Sequence, residues 1–267
     1  DMTSRWETTV DGDNGPKGSH MSAVADLRNC GVDGVLWGEH YVELDTGKEL
    51  FCADGDVYTG HSDIVQPVLN WQTHEWIIHT CRESGESPRI VAFDSSGARL
   101  WGDVDGGHID TGWAARIGDD GEPVVLGVRI TRKERDAGGE RRTGTEEFTY
   151  RAFTGERIDL GFPVYTSIPV DLNGDGVHEL VKGYFEGDGT VLDQRGHTVG
   201  NIGGLSAMAS KFIDHPGEQI LSYRTDGTVR IWVDRNAHDT PSALRRYAHP
   251  FYDVNQRLSA CGYNLFN

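Results

Sequence analysis

One unit recurs along this chain: a short strand, an acidic or glycine turn, a hydrophobic strand, a further strand ending in Asp-x-Gly or Asp-x-x-Gly, and a last short strand. The first copy occupies 21–26, 34–37, 41–47 and 49–51, and the second 64–69, 76–79, 90–97 and 100–101. A third begins at Thr111 and includes 123–130 and 148–155. The fourth takes 167–171, 179–183 and 189–196, and the fifth 206–214, 219–223 and 229–233. The turn glycines Gly47, Gly97, Gly155 and Gly196 are 50, 58 and 41 residues apart, near the roughly 40–50-residue period of four-stranded propeller blades.

That period predicts an all-β chain: a β-propeller of four-stranded blades with about five repeats visible, complete or part of a larger seven- or eight-bladed wheel. The 267 residues are read as a single domain, with 1–19 and 236–267 as closing segments. A propeller closes when one terminus lends a strand to the other's blade, and 5–10 (Arg-Trp-Glu-Thr-Thr-Val) is the candidate. No stretch holds a 3.6-residue periodicity over ten residues, so helix should be scarce. The 35 glycines, 7 tryptophans and 9 tyrosines suit short strands and tight turns.

A formal net charge of -17 argues against nucleic acid and against an anionic membrane surface as partners. It leaves room for an acidic ligand where a few Arg and Lys are concentrated. No 18-residue apolar run exists, so nothing is expected to span a membrane. The four cysteines, 30, 52, 81 and 261, form no CxxC pair, which leaves a structural zinc site without support and permits disulfides without requiring them. Gly18-Ser19-His20-Met21 reads like a tag-cleavage scar, but 17 coherent residues precede it and a hydrophobic strand runs on from it. We therefore treat it as native.

The fourth copy carries Asp171-Leu172-Asn173-Gly174-Asp175-Gly176-Val177-His178-Glu179. Oxygen ligands from Asp171, Asn173 and Asp175, the Val177 carbonyl and the Glu179 carboxylate can wrap one calcium ion. Strand flanks and a Glu eight residues on separate this from an EF-hand; the alternative is an Asx-rich turn without an ion. The first copy, 26–34, carries Arg28 and lacks the terminal carboxylate, and in the fifth, 214–218 reads as a shortened, ion-free version. Such an ion is expected to staple one repeat and to do no chemistry.

Three repeats begin alike, with Gly18-Ser19-His20, Gly60-His61-Ser62-Asp63 and Gly107-His108-Ile109-Asp110. In a propeller the starts of the innermost strands lie on one face around the axis, so His20, His61 and His108 are expected to gather. Neutral histidine can act as a base near pH 7, with a second His or Tyr as acid; a cluster of three can instead bind a transition metal. The loops after the second strands supply Glu39-His40, 80–83, Arg129, Lys182-Gly183-Tyr184 and Tyr223-Arg224. Arg82, Arg129, Lys182 and Arg224 make a candidate ring for a carboxylate, with Tyr223 beside it; the competing expectation pairs some of them with Glu83 and Asp226. The charged insert 132–142 is read as mobile rim, and Trp37, Trp101 and Trp232 as core. There is no GxSxG elbow, P-loop or GxGxxG after a strand.

Arg5-Trp6, Lys17-Gly18-Ser19-His20, Gly60-His61-Ser62-Asp63, the turn within 170–180 and the segment 252–264, which ends Gly-Tyr-Asn, together resemble the calcium-binding eight-bladed rhamnogalacturonan lyases and related propeller lyases acting on ulvan or rhamnosyl-glucuronate. The resemblance implies β-elimination on a uronate-containing polysaccharide, with His61 and His108 as base and acid, Arg82 and Arg129 as carboxylate binders and Tyr184 as an alternative acid. An acidic polysaccharide partner, calcium, secretion and a monomer are the accompanying expectations. Two other classes stay open: a non-catalytic calcium module binding glycan or protein, and a glycoside hydrolase using Asp63 and Asp110.

Overall fold

The structure, a computed structural model, describes residues 3–9, 15–117, 121–137, 139–183 and 187–259. The repeats fold as five antiparallel sheets in chain order. The first is β1 (Ala23–Ala25), β2 (Gly34–Trp37), β3 (His40–Glu43) and β4 (Glu49–Cys52). The second is β5 (Ser62–Leu69), β6 (Trp76–Arg82), β7 (Ile90–Asp94) and β8 (Arg99–Asp103). The third is β9 (His108–Arg116), β10 (Pro123–Asp136), β11 (Gly139–Arg151) and β12 (Arg157–Ile158). The fourth is β13 (Ser167–Val170), β14 (Glu179–Lys182), β15 (Thr190–Leu192) and β16 (Thr198–Asn201). The fifth has three strands, β17 (Leu205–Ser210), β18 (Gln219–Tyr223) and β19 (Val229–Trp232).

Within each sheet the strands follow one another as hairpins, because the Asp-x-Gly turns reverse the chain at short range. Gly97, with φ +85°, closes one of them while the Asp94 carboxylate accepts the amides of Ser96 and Ala98. Inner strands are buried on both faces: every residue of β5 and β6 is buried, whereas β8 is largely exposed. The inner runs are therefore rich in β-branched and apolar residues, interrupted by buried polar ones such as Gln66 and His79, each large apolar side chain contributing roughly 1.5–3 kcal/mol on burial. Trp113 and Trp76 are core residues, while Trp37, expected inside, is 36% exposed.

The expected N-terminal strand does not form among the described residues. Residues 3–9 form no strand; Trp6 instead lies on the first sheet's Gly47 turn and donates its indole N–H to the Leu44 carbonyl at 2.7 Å. The C-terminal segment is helical, as α1 (Pro241–Tyr247) and α2 (Pro250–Ser259). Thr240 caps α1 by accepting the Ala243 amide, with proline in its first turn. These helices escape a periodicity test because each is short and α1 buries only Ala243 and Arg246. No helix among the described residues is long and apolar enough to cross a membrane. Cys30, Cys52 and Cys81 are free thiols; Tyr184 and Cys261 lie outside the described residues.

The chain divides into two units. One holds 1–112, 126–148 and 152–155, and the other 113–125, 149–151 and 156–267. In the second unit the turns 171–178 and 211–218 have the same length and register. In the fourth sheet Glu179 accepts the Leu172 amide; in the fifth, Gln219 accepts the amides of Phe212 and Ile213. The fifth turn is thus full length rather than shortened, and the residue at the position of Asp171 is Lys211. The Lys211 ammonium donates to the carbonyls of His215 (2.7 Å) and Gly217 (3.0 Å) and to Asp239 (3.3 Å).

Candidate active site

The first unit brings the three histidines together through its backbone. Lys17 donates to the Gly60 carbonyl and Ser62 to the Gly18 carbonyl, and Ser19 bridges Ser62 in parallel. This pairing builds the doubtful Gly-Ser-His segment into the fold and sets His20 against His61, ring centroids 4.7 Å apart and edge to face. A side chain at Gly60 would strike the Ser84 carbonyl, so glycine lets the loop after β6 approach. There the Glu83 amide donates to the His61 carbonyl at 2.9 Å, which directs Glu83 toward the histidines. His108 opens β9 directly after Gly107, whose φ is +97°.

Two carboxylates link the rings. Asp63, 1% exposed, places Oδ1 3.0 Å from His20 Nε2 and 4.0 Å from His61 Nε2, and Oδ2 4.0 Å from His108 Nε2. Glu83 places Oε2 3.9 and 3.7 Å from His20 and His61, and Oε1 3.4 Å from His108 Nδ1. Asp110 stands 3.6 Å from His108 Nε2 and 2.6 Å from Arg142. Burial, with Asp110 and Glu83 alongside, drives the Asp63 carboxyl far above the ordinary carboxylate range. Asp110 is held low: burial raises it, but His108 and the Arg142 charge outweigh burial. Burial and then His20 lower His61, favouring its neutral ring.

This donor set fits a cation. Asp63 is buried with Oδ1 turned to His20 and His61, and two groups, His20, His61, Asp63 and Glu83, and Asp63, His108 and Asp110, each offer ligand atoms within 4.8 Å of one another. Neutral imidazole with carboxylate oxygens is a mixed set open to several divalent metals.

Two members of the predicted basic ring are committed to other partners. Arg82 is fully buried, bonded to Glu39 (3.1 Å) and Asp54 (2.7 Å) with the Tyr58 ring 3.7 Å beneath its guanidinium carbon, so it is a core ion pair and not a substrate contact. The register explains this: Arg82 pairs with Ser62, and Ser62 donates to the same Glu39 oxygen. Arg129 is bound to Glu146 and donates to the Gly106 carbonyl at 3.1 Å. Lys182, Tyr223 and Arg224 belong to the second unit. There Thr190, and in smaller part Lys182, lowers Asp188; Thr228, and in smaller part Arg224, lowers Asp226; and Tyr223 is 47% exposed.

The sequence reading brought Glu83 to this face with the 80–83 loop but gave it no part beyond that of an arginine partner, and it left Arg142 in a mobile rim. The burial of Arg82 would have indicated Glu83, since the next residue after a buried strand end points the other way. Nothing local indicates Arg142.

The Asp171 turn lies in the second unit. Burial, then Glu218, lifts Asp171 to about 6, and burial, then Asp175, lifts Glu179 to about 8. The Asn173 amide nitrogen spans Asp175 (3.1 Å) and Glu179 (3.0 Å). These carboxylates do not close to the 4.8 Å spacing of the histidine site, yet a turn of carboxylate and amide oxygens, with Asp171 and Glu179 buried, is the donor chemistry of a hard cation.

No family model and no curated protein matches this sequence. Among solved structures, the chain is similar to the exotype rhamnogalacturonan lyase YesX, with a TM-score of 0.67 and 19% identity over 93% of this chain and 42% of that one. This chain shares a fold with rhamnogalacturonan lyases. The rhamnogalacturonan lyase YesW follows at 0.62, with 19% identity over 93% and 41% of the two chains. The Bacillus licheniformis rhamnogalacturonan lyase PL11 stands at 0.65, with 19% identity over 94% and 41%. The chain therefore spans about two fifths of the length of the lyases it matches.

Proposed function

We propose that this chain is the catalytic propeller portion of a polysaccharide lyase, its sheets being blades, and that it cleaves a uronate-containing, rhamnose-rich glycan by β-elimination. The observation that supports this best is the meeting of His20, His61 and His108 around Asp63 and Glu83 in a chain with the fold of such lyases. The elimination needs a positive charge on the uronate carboxylate, a base for the C5 proton and an acid for the leaving oxygen.

His20, His61, Asp63 and Glu83 would hold a divalent cation. When bound, it would neutralise a uronate carboxylate and acidify the C5 proton. A bound dication would displace the proton that burial keeps on Asp63, leaving Asp63, Glu83 and Asp110 to balance it together with Arg142. In this arrangement His61 is a ligand, and His108 takes over as base. Its Nδ1 faces Glu83 and its Nε2 faces Asp110 and Asp63, so carboxylates on both sides stabilise the imidazolium formed when it accepts the proton. Tyr184 remains the candidate acid from the sequence. Calcium in the Asp171, Asn173, Asp175, Val177 and Glu179 turn would serve stability. The glycan itself, an acidic polysaccharide, and secretion belong to the same reading.

A hydrolase is disfavoured, because Asp63 and Asp110 hydrogen-bond to each other, whereas glycosidase carboxyls stand about 5–5.5 Å or more apart. The test is absorbance of the unsaturated uronate on rhamnogalacturonan, gum arabic and ulvan with a divalent metal supplied. We expect a signal that chelator abolishes and that H108A lowers by roughly 100-fold or more. No signal on any of the three glycans refutes the lyase.

A further inference from the structure

The β10–β11 hairpin, Pro123–Asp136 and Gly139–Arg151, carries strands longer than any other in the protein among the described residues. Its base is fixed beside the site: Arg129 joins Glu146 across the hairpin and donates to Gly106, two residues before His108. Strand alternation puts Glu140, Arg142, Gly144 and Glu146 on one face of β11. From that face Arg142, three residues past the start of the strand, reaches Asp110 at 2.6 Å with 18% of its side chain still exposed. Among the described residues it is the guanidinium paired with a carboxylate of the histidine cluster. Arg82 and Arg129 are bound to Glu39, Asp54 and Glu146.

Resting on the lyase reading, we propose that Arg142 is the residue that selects a free uronate carboxylate, gripping it beside His108 while Asp110 holds the guanidinium in place. An arriving uronate adds a negative charge to a site that already holds Asp63, Glu83 and Asp110. A guanidinium is suited to relieve it, because its planar fork can serve two carboxylates at once while an ammonium acts as a point charge. The hairpin's anchored base makes it a fixed arm, so the contact is pre-positioned for the substrate.

The experiment compares wild type, R142Q and R142K on rhamnogalacturonan oligosaccharides as free acids and after methyl esterification, each protein first matched for urea midpoint. Wild type is expected to favour the acid. R142Q should lose about 10- to 100-fold in kcat/KM on the acid and less than about threefold on the ester, with R142K in between. If R142Q keeps the wild-type preference, or loses both substrates equally, the assignment of Arg142 falls while the lyase stands. A wild type inactive on both forms, and on gum arabic and ulvan, overturns the lyase reading and this assignment with it.

Discussion

Arg82 has a carboxylate at each end of its guanidinium, Glu39 and Asp54, and an aromatic face against it from Tyr58. Removing such a partner leaves Glu39 buried and uncompensated, and burial already raises Glu39. R82M should therefore lower stability by about 3–5 kcal/mol, read from urea denaturation. R129A, which breaks a partly exposed pair, should cost about 1 kcal/mol or less; a wild-type midpoint for R82M would refute the buried-pair account. At this scale the histidines were legible, because three Gly/His segments at matching repeat positions can only converge if the repeats stack. Arg82 and Arg142 were misread in opposite directions. Whether an arginine after a strand turns into the core or over a site depends on Glu39 and Asp110, which lie 43 and 32 residues away.

At the scale of elements, the turns 171–178 and 211–218 solve one problem twice. Each must neutralise inward-facing oxygens at the top of a hairpin. The fourth sheet presents carboxylates; the fifth presents carbonyls and Asp239 to its own lysine. Added calcium should raise the thermal midpoint of wild type by several degrees, and D175A should abolish that rise. K211M should lower the midpoint with and without chelator alike, which a differential scan at both conditions decides. The four-stranded repeats and their turns were legible from period and glycine placement. The two helices were not, since their docking rests on Arg246, bound to Glu218 at 3.0 Å, and on Tyr247, donating to Asp171, and not on an apolar stripe.

For the molecule as a whole, acid is the expected weakness. Burial lowers His79 to about 4 and holds His178 well below the ordinary imidazole value, and the two lie in different units. Below about pH 6.5 the unfolded chain takes up protons that these buried rings refuse, so stability is full above that pH and falls toward pH 4. Each ring removes up to about 1.4 kcal/mol per pH unit over its window. The urea midpoint should drop between pH 6.5 and 4, and H79Q should flatten the drop; an equal slope in H79Q would contradict it. Lys211 has a bearing on how such a chain can change over generations. A repeat that exchanges its leading aspartate for lysine and its closing glutamate for glutamine stops depending on what ions its surroundings provide. The exchange is not private to one hairpin: the Asp171 amide donates to the Glu218 carboxylate and the Glu218 amide to the Asp171 carbonyl, both at 2.7 Å, so a substitution in either turn is felt by its neighbour.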